Sequence, residues 1–222
     1  MSIGKGMTYR LEQKVIGENK FCDTPGLADV QQKKEAGVAI RDSLNVGGPH
    51  KILFFCRIDE GRVNLADKTT MKLVHEAARE IGSQYGVIIN KVSKGMMKKL
   101  KAHPEMEKGF RDSLFEGMPK TTHVWFLPYL EDLDAEDDAL VSLDKLTGLG
   151  SFLEQVPVIN LTPQQVKYIR VEEFDVVMQE LEEIKFKSEK LEKDVEILKA
   201  EREAEKKKKG EQYNFSGIFS IV

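Results

Sequence analysis

The sequence predicts an α/β fold, a doubly wound and mostly parallel β-sheet with helices on both faces. From residue 1 to about residue 157, short apolar runs alternate with longer stretches of helical periodicity. The short runs are continuously apolar, as in strands that are buried on both faces of a parallel sheet. Hydrophobic residues make up 41% and charged residues 32% of the 222 residues, which is typical of a soluble globular protein.

The elements follow one another in the order that such a sheet needs. The candidate strands are 21–22, 52–56, 87–89 and 124–127, and a further strand-like segment covers 10–15. The candidate helices are 30–44, 65–81, 96–114 and 139–156. We therefore expect one domain over residues 1–157.

A long helix is predicted over residues 163–209, after a change in composition. Thr162 is placed as its N-cap, with Pro163 in the first turn and Gln165 completing a capping box. Apolar residues then repeat at alternating steps of three and four, which is typical of a coiled coil of about four heptads. A helix packed against its own domain is the alternative. The eight seam positions hold Phe174, Val177, Leu181, Ile184, Ser188, Leu191, Val195 and Leu198.

A lysine run at 206–209 is expected to end the helix at Gly210. The apolar tail 210–222 is too short to span a bilayer. It is expected to dock either on the protein or on a membrane surface, and the sequence does not distinguish the two.

Composition excludes several classes of function. The formal net charge of −3 gives no reason to expect a nucleic-acid partner. The four histidines lack the spacing of zinc ligands. Cys22 and Cys56 both lie in apolar runs, which predicts buried, reduced thiols. No signal peptide opens the chain, so the expected compartment is the cytoplasm.

The first candidate site is the segment Asp23, Thr24, Pro25 and Gly26, which follows the apolar pair at 21–22. An aspartate at the carboxyl end of a strand can hold Mg²⁺ through water, and a glycine lets its N–H approach a phosphate. A simple turn after a strand would have the same sequence.

The second candidate is Asn90 and Lys91, which directly follow the apolar run 87–89. An amide can hydrogen-bond a guanine ring, and a lysine stem can pack on its face. Thr8, ahead of the aspartate segment, is a candidate Mg²⁺ ligand.

Together these residues resemble the TRAFAC class of P-loop GTPases, and most closely the GIMAP (immunity-associated nucleotide-binding) family. Gly61 and Arg62, followed by Asp67, resemble that family's characteristic box. The resemblance covers about residues 7–156. It implies GTP and Mg²⁺ as ligands, with Thr8 as the switch I threonine, 23–26 as the switch II motif and 90–91 as the base-recognition motif.

Three departures from the family pattern matter. The phosphate loop Gly-x-x-x-x-Gly-Lys-Ser/Thr and the strand before it do not occur in the sequence, which is expected of a fragment or of a true pseudo-GTPase. Ser93 stands where an aspartate usually accepts two guanine N–H bonds. Leu27 follows Gly26, where a glutamine often positions water.

Two classes of function therefore remain. The chain is expected to be a GTP-binding switch or scaffold protein, with weak or no nucleotide binding and no fast hydrolysis by itself. The alternative is a non-enzymatic coiled-coil interaction protein that keeps a degenerate G-domain. For both classes of function we expect the long helix to self-associate or to bind a coiled-coil partner. The sequence contains no set of catalytic residues typical of a metabolic enzyme.

Overall fold

The computed structural model describes residues 10–27, 33–59, 61–130 and 146–216. The chain divides into two compact units, Met1–Phe174 and Asp175–Val222. The first unit contains every strand and every shorter helix of the described residues. The second consists, in its described part, of the remainder of one long helix.

Strands and helices are interspersed along the first unit. In chain order they are β1 (Glu12–Ile16), β2 (Asn19–Asp23), α1 (Lys33–Leu44), β3 (Pro49–His50), β4 (Leu53–Asp59), β5 (Arg62–Val63), α2 (Leu65–Ala77), β6 (Gly86–Val92), α3 (Lys94–Ala102), α4 (Pro104–Leu114), β7 (Val124–Pro128), α5 (Leu149–Gln155) and β8 (Ile159–Asn160). The long helix is α6 (Val171–Ser216).

The largest sheet has four strands in the order β5-β4-β6-β7. β6 lies between β4 and β7 and is parallel to both, with Cys56 opposite Ile89 and Ile89 opposite Phe126. The short β5 is antiparallel to β4. The prediction of an α/β fold is thus confirmed as a mixed α/β fold with a partly parallel sheet.

Both faces of β6 are buried, as its continuous apolar run predicts. On one face, Ile88 packs with Phe152 and Val156 of the α5 region. On the other face of the sheet, the thiol of Cys56 in β4 lies 3.4 Å from the Met71 sulfur of α2. These two layers form the core of the first unit.

β1 and β2 form a separate antiparallel hairpin, in which Lys14 lies opposite Phe21. Every residue of the hairpin strands is exposed, including Val15 at 70% and Phe21 at 53%. The expectation that Cys22 is buried is therefore wrong, whereas Cys56 is buried as expected. An apolar run predicts a strand, but the side chains of that strand are buried only where another structural element packs against them.

Two predicted helices have different boundaries in the structure. The stretch 96–114 divides into α3 and α4 at His103, because Pro104 starts a new helix at its first position. The predicted helix 163–209 is a short 3-10 turn, Pro163–Gln165, followed by a segment without regular secondary structure and then α6. The Thr162 N–H does donate to Gln165 Oε1 at 2.8 Å, as the capping box requires.

Tertiary contacts explain why α6 begins only at Val171. The N–H of Lys167 donates to the carbonyl of Ala77 at 2.8 Å, and Ile169 is fully buried, so this segment is bound to the first unit before the helix starts. At its other end α6 continues through Gly210 to Ser216. A single glycine costs a helix about 1 kcal/mol, which its neighbours evidently offset. Residues 217–222 of the predicted tail lie outside the described residues.

His75 of α2 is buried in an aromatic cluster, with its ring centroid 4.5 Å from that of Tyr85 and 5.8 Å from that of Phe54. Neither ring nitrogen has a hydrogen-bond partner among the described residues. Burial lowers the His75 pKa to about 4 from its ordinary value of 6.5. The neutral ring therefore stabilises the fold above pH 6.5, and this contribution is lost as the pH falls towards 4.

Gly86, at the start of β6, has no room for a side chain. A Cβ there would lie 2.8 Å from Val156 Cγ2, 2.9 Å from Leu53 Cδ2 and 3.1 Å from Phe152 Cζ. We expect Gly86→Ala to destabilise the fold by about 1–3 kcal/mol through overpacking. Denaturant unfolding measures this effect.

The matched control is Gly150→Ala in α5, where a Cβ meets open space. That change should be neutral or stabilising, since alanine favours helix over glycine by about 1 kcal/mol. Equal unfolding midpoints for the two variants would show that the contact of α5 with the sheet is not close-packed.

Candidate functional site

Polar residues gather where the parallel strands end. Arg57 of β4 and Asn90 of β6 are register partners at the carboxyl ends of their strands. Asn90 is half-buried, whereas Arg57 is exposed. The carboxyl edge of a parallel sheet is where α/β proteins bind their ligands, so this edge is the candidate site.

The backbone of β6 changes conformation within this edge. Lys91 has φ 57°, the only positive φ at a non-glycine residue in the described part of the chain. The pairing of β6 with β7 also shifts its register between Ile89 and Val92. A lysine in this left-handed region costs about 1–2 kcal/mol, and such strain is concentrated at functional sites.

The side chains of the predicted base-recognition motif have defined local roles. Asn90 Oδ1 accepts the N–H of Lys91 at 2.8 Å, which leaves the donors of the amide for other partners. Ser93 is the N-cap of α3, and its hydroxyl accepts the N–H of Met96 at 3.2 Å. Serine at this position is thus explained by helix capping.

The predicted switch II motif lies at the end of the hairpin. Asp23 closes β2 and is exposed, Thr24 is half-buried, Pro25 is buried and Gly26 is exposed. Leu27 is fully buried, so it is a core residue. Thr8, the other predicted Mg²⁺ ligand, lies outside the described residues.

The predicted family box has a structural role in the described chain. Gly61 has φ 83°, which favours glycine, in the turn that leads into Arg62 of β5. Asp67 Oδ2 accepts the backbone N–H of Arg57 at 2.7 Å and so ties the first turn of α2 to β4. Burial raises the pKa of Asp67, and the hydrogen bond from Arg57 opposes that rise.

The box also borders a groove of about 240 Å³ beside α3 and α4. Its lining residues are Gly61, Arg62, Val63, Met96, Met106, Gly109, Phe110 and Ser113. Neither Asn90 nor Asp23 lines this groove, so the box and the base-recognition motif do not share a cavity.

The groups that a bound nucleotide would need are only partly present in the described residues and the sequence. Asn90 and Lys91 provide an amide and a cationic stem at one edge of the sheet. The sequence holds no Gly-x-x-x-x-Gly-Lys-Ser/Thr loop to cradle phosphates. No group of three or more His, Cys, Asp or Glu residues within the described ranges could hold a metal ion. Likewise, no helix in those ranges is long and apolar enough to cross a bilayer.

Two residues of this region escape sequence reasoning. Asn64 is the N-cap of α2, and its Oδ1 accepts the N–H of Ala66 at 2.9 Å. Its signal was available, because asparagine before an apolar periodic stretch is a typical N-cap. Arg57 next to Asn90 could not be found in this way, since it is set by the pairing register of two strands.

Comparison of this chain with family models, with curated proteins and with solved structures found no match to any of them.

Asp67 provides a test of whether the box is structural. We expect Asp67→Ala to cost about 1–3 kcal/mol of stability, because it leaves the backbone N–H of Arg57 without its charged acceptor. Asp67→Asn keeps a side-chain oxygen for the Arg57 N–H and should retain most of that stability. Urea unfolding of the two variants beside the natural chain is the measurement. If the alanine variant unfolds at the same urea concentration as the natural chain, Asp67 has no structural role.

Proposed function

We propose that this chain carries the base-recognition part of a guanine-nucleotide-binding domain of the P-loop GTPase kind. The supporting observation is the strained carboxyl end of β6, the central parallel strand, where Asn90 and left-handed Lys91 lie. An amide with free donor capacity beside a lysine stem suits a purine ring with exocyclic oxygen. In this proposal Asp23 contributes to the phosphate and Mg²⁺ end, a role that the sequence resemblance also assigns to Thr8.

Hydrolysis is not expected of these residues. Leu27 is fully buried and cannot orient an attacking water molecule. Ser93 offers one hydroxyl, already used by α3, where a carboxylate would accept two N–H bonds from guanine. The proposed function is therefore a slow or inactive nucleotide-dependent switch or scaffold, with weak binding by the chain alone.

Binding of a fluorescent GDP analogue to the full chain in the presence of Mg²⁺ tests the proposal. We expect weak but saturable binding, a modest preference over ADP, and about a 10-fold loss for Asn90→Ala, which removes a hydrogen bond to the base. The matched control is Asn160→Ala, an exposed asparagine on β8. Equal binding by the two variants, or no saturation at millimolar nucleotide, would remove Asn90 from the proposal.

Phosphate release from GTP should stay at background. Release that depends on Mg²⁺ and is abolished by Asp23→Ala would show that the chain hydrolyses GTP after all.

A second candidate function is favoured by the surface of α6. Its predicted seam positions Ile184, Leu191 and Leu198 are 60–64% exposed, and Val195 is 47% exposed. Phe174 differs from them, because it is 2% exposed and belongs to the first unit, with Lys33 Nζ 5.4 Å from its ring centroid. The predicted seam thus loses its first member. The side chain of Leu181 lies outside the described residues.

We propose on this basis that α6 pairs with another helix, as in a coiled-coil interaction protein. The remaining seam is shorter than four heptads, so the pairing is expected to be moderate and to depend on concentration. A polar Ser188 interrupts it in the middle. This function needs no nucleotide, which separates it from the first proposal.

Leu191→Lys should abolish the pairing. Burial of a leucine is worth about 1.5–3 kcal/mol, and two copies that lose it together lose more than about 100-fold in affinity. The matched control is Ile197→Lys, which changes an equally exposed aliphatic residue (57% against 64%) outside the seam. Sedimentation of the full chain at tens of micromolar is the measurement. A monomeric natural chain, or equal effects of both changes, would contradict pairing through the seam.

A further inference from the structure

The charged residues beside the seam of α6 contain information about the partner and its direction. With Ser188 and Val195 at heptad position a, the neighbouring positions e and g hold only charged residues between 180 and 199. In order along the chain these are Glu180 (g), Lys185 (e), Lys187 (g), Glu192 (e), Asp194 (g) and Lys199 (e).

In a parallel pair of helices, each g residue faces the e residue five positions later on the other helix. For two copies of this chain in register, all three such contacts join opposite charges. They are Glu180 with Lys185, Lys187 with Glu192, and Asp194 with Lys199. Each occurs twice in a symmetric pair. Asp194 and Lys199 are both exposed on α6, where they are available for such a contact.

The antiparallel arrangement reverses this result. When the same seam is fully overlapped, g faces g and e faces e, so that Glu180 faces Asp194 and Lys187 faces its own copy. On the other side of the seam Lys185 faces Lys199, and Glu192 faces its own copy. Like charges in these positions are destabilising, so the pattern discriminates against antiparallel pairing.

We propose that the partner of α6 is a second copy of this chain, bound parallel and in register. This inference rests on the proposed pairing through the seam and adds the identity and direction of the partner. Parallel pairing brings the two Val171 ends together. Antiparallel pairing with the seam overlapped would separate them by about 55 Å, because Val171 would then lie about 37 residues of helix, at 1.5 Å per residue, from its copy.

A charge reversal on the full chain separates the two directions by the sign of its effect. Asp194→Lys faces Lys199 in the parallel pair and should weaken the dimer about 5- to 20-fold at low salt. In the antiparallel pair the same lysine would face Glu180 and strengthen the dimer. The double variant Asp194→Lys with Lys199→Asp should restore the parallel dimer. Glu196→Lys, at the outward b position, is the control for net charge.

Cross-linking provides a second, independent measurement. In a Cys22→Ser background, which removes the exposed cysteine, Leu198→Cys places a thiol in the seam and Lys193→Cys places one on the outer face. A parallel, in-register dimer should form an interchain disulfide at residue 198 much faster than at residue 193.

Each outcome bears on a different claim. Weakening by Asp194→Lys, its rescue by the double variant and a disulfide at residue 198 support the parallel dimer. A dimer that Asp194→Lys strengthens, or that fails to cross-link at residue 198, would overturn the parallel direction while the seam pairing stands. A natural chain that is monomeric at tens of micromolar would overturn both the parallel direction and the pairing through the seam. The nucleotide-binding proposal would be unaffected by that result.

Discussion

The parallel pairing of β6 with β4 and β7 is the constraint on which the first unit depends. A strand between two parallel neighbours has its backbone groups paired on both sides and both faces available for burial. This explains why residues 86–89 are all buried. It also explains Gly86, because α5 and Leu53 approach the strand too closely for a side chain.

The same strand positions the candidate site. Its hydrogen-bonded run holds Asn90 beside Arg57, and then the backbone leaves regular strand geometry at Lys91. Strain at one residue persists only where the surrounding structure over-determines it. Here the part of β6 before Lys91 is buried, and α3 begins three residues after Lys91, at Lys94, with Ser93 as its N-cap. The base-recognition proposal therefore rests on a rigid element and not on a loop.

The hairpin and the long helix differ from β6 in the exposure of their apolar residues. Both carry apolar residues that the described chain leaves exposed: Val15 and Phe21 on the hairpin, and Ile184 and Leu191 on α6. Exposed apolar side chains that form a contiguous patch are typical of interaction sites. For α6 the charged residues beside the seam identify the partner as a second copy of the chain. The hairpin has no comparable charge pattern that would identify a partner, so we propose none for its strands.

Local sequence patterns determined the class of fold, the central strands and the candidate motif at 90–91, because continuous apolar runs and strand-end polar residues depend only on near neighbours in the chain. The heptad pattern and its charges likewise follow from the sequence alone. The tertiary structure decided that Cys22 is exposed, that Phe174 leaves the seam, and that Asp67 binds the backbone of Arg57. Each of these features depends on which segments, distant in sequence, pack against one another. Local sequence patterns do not specify such long-range contacts.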